Sequence, residues 1–164
     1  MKKVFLILAV VCIGFASCQR NESAPAVSKE EASKAVGELF DGLNTAFQTK
    51  DANAMRNLLT DDGLFLGTDP AEFWGKQRVL EEISSMAKDS AVNANHIIDK
   101  REIRVSPDGH MALVIEQSVV PFLGKIPVRT IGHATMKDGQ WKIDFYSWNL
   151  VPKNESLQKL SDAY

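Results

Sequence analysis

The segment KIPVRTIGHATMKDGQWKIDFYSWNL, residues 125–150, decides the fold of this chain. It contains two stretches of alternating apolar and polar side chains, separated by Asp138-Gly139, and that dipeptide is the strongest short-range signal for a β-hairpin. Two further stretches with the same alternation precede it, so the sequence predicts four strands near 96–106, 110–122, 125–137 and 140–150. Pro107-Asp108-Gly109 and Leu123-Gly124 mark the other two turns.

The amino-terminal half has helical periodicity instead. Ser28 is followed three residues later by Glu31, which is a capping box, and apolar side chains then recur at spacings of three and four over about 20 residues. Asp51 caps a shorter helix that we expect to end at 60–63, a short extended piece follows at 64–67, and a third helix covers 76–88. Helices first and strands afterwards predict an α+β fold, with the helices packed on one face of an antiparallel sheet of four or more strands.

The turns also predict which side chains share a face of the sheet, because a two-residue loop fixes how the two strands pair. Applied at Asp138-Gly139 and at Leu123-Gly124, this rule places uncharged polar side chains at one end of the helix-facing side. With Phe65 and Trp74 as walls, that end predicts a pocket for a small, partly apolar ligand. The alternative is that these polar residues are satisfied at the rim of the core; they are Gln117, Thr130, Ser147 and Asn149.

The opposite face of the sheet combines aromatic and charged side chains. A His and Asp pair invites a general-base interpretation, but neither a nucleophile nor an acid partner accompanies it. Aromatic residues with Arg are typical of protein interfaces, so we expect this face to form a homodimer. Its residues are Arg129, His133, Asp144, Tyr146 and Trp148.

The amino terminus resembles a bacterial lipoprotein signal. A cationic start is followed by an uncharged apolar run over residues 4–15, which is too short to span a membrane, and by two small residues before Cys18. The lipobox of that family prefers Leu where this chain has Phe15. We therefore expect a signal peptide over 1–17, a lipidated Cys18 with a flexible tether over 18–28, and a domain over 29–164 in the bacterial cell envelope. The alternative is an ordinary signal peptide that has a cysteine nearby.

Composition excludes some classes of function. The chain has 19 Lys and Arg against 21 Asp and Glu, and removal of residues 1–17 takes away Lys2 and Lys3, which leaves a balance of −4. A mildly acidic protein lacks the clustered cations that bind nucleic acid. The three histidines are scattered and a single cysteine remains after cleavage, so we expect neither a metal site nor another cofactor.

Three segments resemble SnoaL-like proteins of the nuclear transport factor 2-like superfamily: GTDPAEFWGK at 67–76, KDGQWKI at 137–143 and VPKNE at 151–155. The resemblance implies a cone-shaped α+β barrel whose sheet curls around a helix-capped pocket, and frequent dimers through the outer sheet face. It does not imply one function, because the fold also contains isomerases, cyclases and dehydratases. Relatives often carry a pocket His on the last strand, where this chain has Ser147.

Three functions stay open. The first is a lipid-anchored module that binds a small, partly apolar ligand in the pocket. The second is an isomerase, cyclase or hydrolase that uses a pocket carboxylate as its base, for which Asp62 and Asp99 are the candidates. The predicted register brings Asp99 and its neighbour Arg101 to the helix-facing side of the first strand, unless a bulge moves them away. The third is a dimeric interaction module without a ligand.

Overall fold

The computed structural model describes residues 28–163, so the predicted signal peptide, Cys18 and the tether up to residue 27 lie outside the described residues. The helices are α1 (Lys29–Thr49), α2 (Ala52–Leu58), α3 (Lys76–Met86) and α4 (Leu157–Ser161). The strands are β1 (Leu59–Leu66), β2 (Phe73–Gly75), β3 (Ile97–Val105), β4 (Met111–Val119), β5 (Val128–Lys137) and β6 (Gln140–Leu150). Short 3₁₀ turns occupy Pro121–Leu123 and Asn154–Ser156. Within 28–163, none of the helices is both long enough and apolar enough to traverse a bilayer.

Local side-chain caps begin the first two helices, as the sequence predicts. The backbone N–H of Glu31 donates to Oγ of Ser28, and the N–H of Ser28 donates to the Glu31 carboxylate, each at 3.1 Å. The carboxylate of Asp51 accepts from the backbone N–H groups of Asn53 and Ala54 at 2.9 Å. These bonds satisfy amide groups that a helix leaves without partners at its start.

The six strands form one mixed sheet in the order β2-β1-β6-β5-β4-β3, which confirms the α+β fold and extends it beyond the four predicted strands. β1 lies parallel to β6, and the other neighbours are antiparallel. The expectation that 60–63 merely ends the second helix was wrong, since β1 starts at Leu59 directly after α2. The strand that β1 pairs with, β6, lies about eighty residues further along the chain. The local pattern at 60–63 gives no signal of so distant a partner.

The β5–β6 hairpin follows the predicted register only as far as Ala134 and Ile143. Asp138 and Gly139 have φ values of 51° and 76°, which is the geometry of a type I′ turn. Beyond Ile143 a β-bulge inserts Asp144 as an extra residue, so that His133 lies opposite Phe145 and Gly132 lies opposite Tyr146. Because one extra residue exchanges the faces of a strand, Tyr146 and the alternate residues after it point toward the helices.

The β4–β5 connection changes the faces in the same way. The predicted two-residue loop at Leu123-Gly124 is wrong, because the chain forms a 3₁₀ turn there and Ser118 lies opposite Val128. The register therefore differs by one residue from the prediction, and Glu116 rather than Gln117 faces the helices. In β3 a second bulge lies between Ile98 and Lys100.

The core lies between α1 and the helix-facing side of the sheet. Val36, Phe40 and Leu43 of α1 pack with Val114, Ala134 and Ile143 of the central strands, all at most 5% exposed. Phe40 lies directly against Gly132, where a Cβ atom would stand 2.3 Å from the phenyl ring. This close approach brings the helix onto the sheet at one end and leaves room between helices and strands at the other.

Candidate functional site

A cavity of about 270 Å³ lies between the three amino-terminal helices and the part of the sheet formed by β1, β2 and β6. Leu43, Met55 and Ile83 cover it from α1, α2 and α3, respectively. Six of the other lining residues are aromatic. The aromatic lining residues are Phe47, Phe65, Trp74, Phe122, Tyr146 and Trp148.

The structure places two of the predicted pocket residues on this wall. Phe65 and Trp74 lie opposite each other on the antiparallel strands β1 and β2, and both side chains line the cavity. Both therefore lie on a cavity wall, and their contact with a ligand stays a prediction. Asp69 does not line the cavity; its carboxylate accepts from the N–H of Ala71 at 2.8 Å and caps the turn before β2.

The predicted polar edge of the pocket was wrong, because the register of β4 and of β6 differs from the expected one. Gln117 accepts a hydrogen bond of 3.0 Å from Arg129 on the outer face of the sheet. Asn149 is exposed and donates to Oγ of Ser147 at 3.2 Å, also away from the cavity. Thr130 does point toward the helices, but it is buried below the cavity and does not line it.

The predicted outer-face cluster is divided by the bulge at Asp144. His133 and Asp144 form the expected pair, with Nδ1 and Oδ1 2.6 Å apart, and Arg129 is exposed on the same face. Tyr146 and Trp148 were wrongly placed there, since both line the cavity on the opposite face. A dimer through the outer face stays a prediction for the three residues that remain.

Neither candidate catalytic carboxylate reaches the cavity. Asp62 is exposed on β1, and Asp99 is exposed at the β3 bulge, which turns it away from the helices. Residues 28–163 contain no group of three or more His, Cys, Asp or Glu side chains placed to hold a metal ion.

A buried ion pair below the cavity was missed by sequence reasoning. Glu116 is 1% exposed, and its Oε1 lies 2.6 Å from both Nε and Nη2 of Arg101, which is directly opposite it on β3. Nη1 of Arg101 lies 2.7 Å from Asp41. Burial by itself would lower the pKa of Arg101, but Asp41 and Glu116 together hold that pKa above its ordinary value. The guanidinium therefore stays charged and neutralises a carboxylate that burial alone would penalise.

Two side chains connect this ion pair to the cavity. Asn44 lines the cavity and directs its Nδ2 toward both carboxylate oxygens of Glu116 at 3.4 Å. The ring of Tyr146 also lines the cavity, while its hydroxyl is fully buried. Burial, and secondarily the charge of Glu116, raise the pKa of Tyr146. The phenol is therefore neutral at all physiological pH values.

His96 packs behind the aromatic wall. Its ring centroid lies 4.9 Å from that of Trp148 and 5.6 Å from that of Phe47. Both ring nitrogens are buried without a hydrogen-bond partner among the described residues. Burial lowers the pKa of His96 to about 4, so the imidazole is neutral at pH 7 and supports the rings of Phe47 and Trp148 from behind.

The comparisons with known proteins agree with this architecture. A family model described as a SnoaL-like domain matches residues 36–148. An NTF2-like protein from Cytophaga hutchinsonii is 20% identical with a TM-score of 0.63, over 76% of this chain and 100% of that one. An NTF2-like protein with a cystatin-like fold from Novosphingobium aromaticivorans is 16% identical with a TM-score of 0.63, over 80% and 89%. An NTF2-like protein of unknown function from Pseudomonas putida is 14% identical with a TM-score of 0.61, over 79% and 94%. No curated protein matches the chain.

Proposed function

Since this chain belongs to the SnoaL-like domain family, we propose that it binds a small, largely apolar ligand in the helix-capped cavity. The observation that carries the proposal is the cavity itself, because about 270 Å³ of space is walled mainly by aromatic and aliphatic side chains. Concave, mostly apolar pockets with a few placed polar groups are the usual form of small-molecule sites. A chain with no ligand to bind gains stability by filling such a space with its own side chains.

Asn44 supplies a fixed, uncharged polar group in this mostly apolar wall. Because Glu116 holds the Nδ2 of Asn44, the amide cannot rotate freely and its Oδ1 points away from the carboxylate. A hydrogen-bond acceptor at a fixed place in an apolar pocket orients a ligand that carries a donor. An enzyme that uses Asp62 or Asp99 as its base has no such support, since both are exposed and lie outside the cavity.

Native mass spectrometry of the full-length protein, extracted from its membrane in a mild detergent, tests ligand binding. Val79 lines the cavity and Val119 is half-buried on β4 outside it, so Val79→Trp fills the site and Val119→Trp is the matched control. We expect a retained small molecule with the wild type and with Val119→Trp, and none with Val79→Trp. A Val79→Trp protein that retains the same mass as the wild type would refute the proposal.

Lipid anchoring at Cys18 is the second part of the proposal. Its support is the order of charges, apolar residues and small residues in 1–17, followed at once by the cysteine. Several acyl chains on one cysteine anchor a protein stably, whereas a single chain does not. We expect Cys18→Ser to release a folded domain into the soluble fraction, with Cys12→Ser as a control that stays in the membrane fraction. Membrane retention of Cys18→Ser would count against the anchor.

A homodimer through the outer sheet face is the third part. Ile131 and Phe145 are half-buried on that face beside the His133–Asp144 pair and Arg129. Such a mixture of apolar and charged side chains is typical of protein interfaces. Light scattering of the detergent-solubilised protein should show a dimer that Ile131→Glu dissociates. An unchanged mass after this substitution argues against this face as the interface.

A further inference from the structure

The ionisable side chains that line the cavity are acidic. Glu72, from the turn before β2, and Glu82, from α3, both line it, and both are half-buried. Within residues 28–163, the only other titratable lining residue is Tyr146, whose phenol is neutral. Among the described residues, no Lys, Arg or His side chain contributes to the wall.

Arg78 on α3 is already paired with Glu82 and Glu81, and the nearby lysines are directed elsewhere. Nζ of Lys76 binds the backbone oxygen of Leu59 and, at 2.8 Å, the exposed carboxylate of Asp61. Nζ of Lys50 donates to the backbone oxygen of Asp89 at 2.7 Å. These cations therefore do not supply a partner for an anion inside the cavity.

Each of the two lining carboxylates has a partner that holds it in place. Glu72 accepts from the backbone N–H of Asp69 at 2.9 Å, and its side chain lies across Gly67. Glu82 is paired with Arg78 one helical turn before it, and Arg78 also lies 3.7 Å from Glu81. A carboxylate that accepts one such bond keeps further lone pairs for a second donor.

The aromatic wall favours the same sign of ligand charge. The faces of Trp and Phe rings are negative, so they attract a cation and repel an anion. Phe47, Trp74 and Trp148 all line the cavity that Glu72 and Glu82 border. A cation that leaves water for this cavity is thus met by ring faces and by carboxylates together, which compensates for its lost hydration.

We propose that the ligand is an amphipathic amine, whose apolar body fills the aromatic cavity while its protonated amino group lies against Glu72 and Glu82. This inference rests on the proposed ligand-binding function and adds the charge and class of the ligand. An acid or a phosphate ester of the same shape should bind more weakly, because the same two carboxylates disfavour a negative charge. Partly exposed carboxylates contribute up to about fivefold each to the affinity, so the amine should bind roughly tenfold more tightly than its neutral analogue.

Three compounds with one ring system test the charge preference: 1-naphthylmethylamine, 1-naphthalenemethanol and 1-naphthoate. Binding of each to the full-length protein is measured by isothermal titration calorimetry at pH 7, against micelles without protein as the blank. We expect affinity in the order amine, alcohol, carboxylate. Higher salt should weaken binding of the amine and leave binding of the alcohol unchanged.

The variants Glu72→Gln and Glu82→Gln assign the preference to the two carboxylates. Glutamine keeps an acceptor for the N–H of Asp69, and Arg78 keeps Glu81 as a partner, so both variants should fold. The double variant should bind amine and alcohol equally, with the affinity for the alcohol unchanged. Glu38→Gln, which removes an exposed carboxylate on α1, is the matched control and should behave as the wild type.

The outcomes separate this inference from the function on which it rests. Equal affinities for the three compounds, or an amine preference that survives in the double variant, would overturn the amine inference and leave ligand binding intact. Absence of binding by all three compounds, together with no retained ligand in native mass spectrometry, would overturn both.

Discussion

Acid should destabilise this protein through His96, and the structure sets the size of the effect. The imidazole lies among Phe47 and Trp148, and neither ring nitrogen has a hydrogen-bond partner among the described residues. Burial lowers the pKa of His96 from 6.5 to about 4, because a charged imidazole would lose its hydration without gaining a partner. In the unfolded chain the same group is protonated below its ordinary pKa.

The contribution of His96 to the free energy of unfolding therefore depends on pH. Between the two pKa values the unfolded state binds a proton at His96 and the folded state does not, so stability falls as pH decreases. The contribution is complete above the unfolded pKa of 6.5 and is lost as pH falls to about 4. At about 1.4 kcal/mol per pKa unit, a difference of about 2.5 units corresponds to a loss of up to about 3 kcal/mol in the free energy of unfolding.

Urea unfolding of the full-length protein, followed by tryptophan fluorescence at pH 7 and pH 4.5, measures this loss. His96→Phe keeps an aromatic ring behind the wall but cannot titrate, so its stability should decrease less than that of the wild type over this interval. His110 is exposed in the β3–β4 turn, so His110→Gln is the matched control and should retain the full acid sensitivity. Equal acid sensitivity of His96→Phe and the wild type would refute the reasoning.

Two further substitutions test the core, each by its effect on the urea-unfolding midpoint. Glu116→Gln leaves the half-buried guanidinium of Arg101 without its main counter-charge and should cost about 3 kcal/mol, whereas replacing both residues with Met should cost less than this single change. A single change without cost would show that the pair is not desolvated. Gly132→Ala would place a Cβ atom 2.3 Å from the ring of Phe40 and should cost about 1–3 kcal/mol, while Gly75→Ala, which meets nothing within 4 Å, should be neutral. Equal stabilities of the two alanine variants would contradict the close packing of helix on sheet.

The features that the sequence predicts correctly are those that a few neighbouring residues determine. Ser28 and Asp51 cap helices with bonds to backbone groups two or three residues away. Asp138 and Gly139 form their turn because both residues adopt the positive φ values that it requires. The positions of Phe65 and Trp74 on the cavity wall follow from the order of elements and from the family resemblance. None of these predictions requires knowledge of a distant partner.

The predictions that fail depend on packing between distant elements. The bulge at Asp144 brings Tyr146 opposite Gly132, and the absent side chain of Gly132 makes room for Phe40 from α1. The bulge is favourable only once α1, β5 and β6 pack together, so the alternating pattern of β6 alone cannot predict it. One inserted residue then moves Tyr146 and Trp148 from the outer face to the cavity, where they supply two of its six aromatic lining residues.

The burial of Glu116 was missed for a related reason, although the sequence contains a usable signal. The predicted register of β4 places the neutral Gln117 on the helix-facing side, which avoids burying a charge. Burying an unpaired carboxylate costs free energy. Yet the predicted face of β3 already carried Arg101, and a buried guanidinium requires a counter-charge on a neighbouring strand. Glu116 is the residue directly opposite Arg101, so this requirement selects the correct register of β4. The same register of β4 brings Glu116 to Asn44, and Glu116 holds the amide of Asn44 in place as a polar group of the cavity wall.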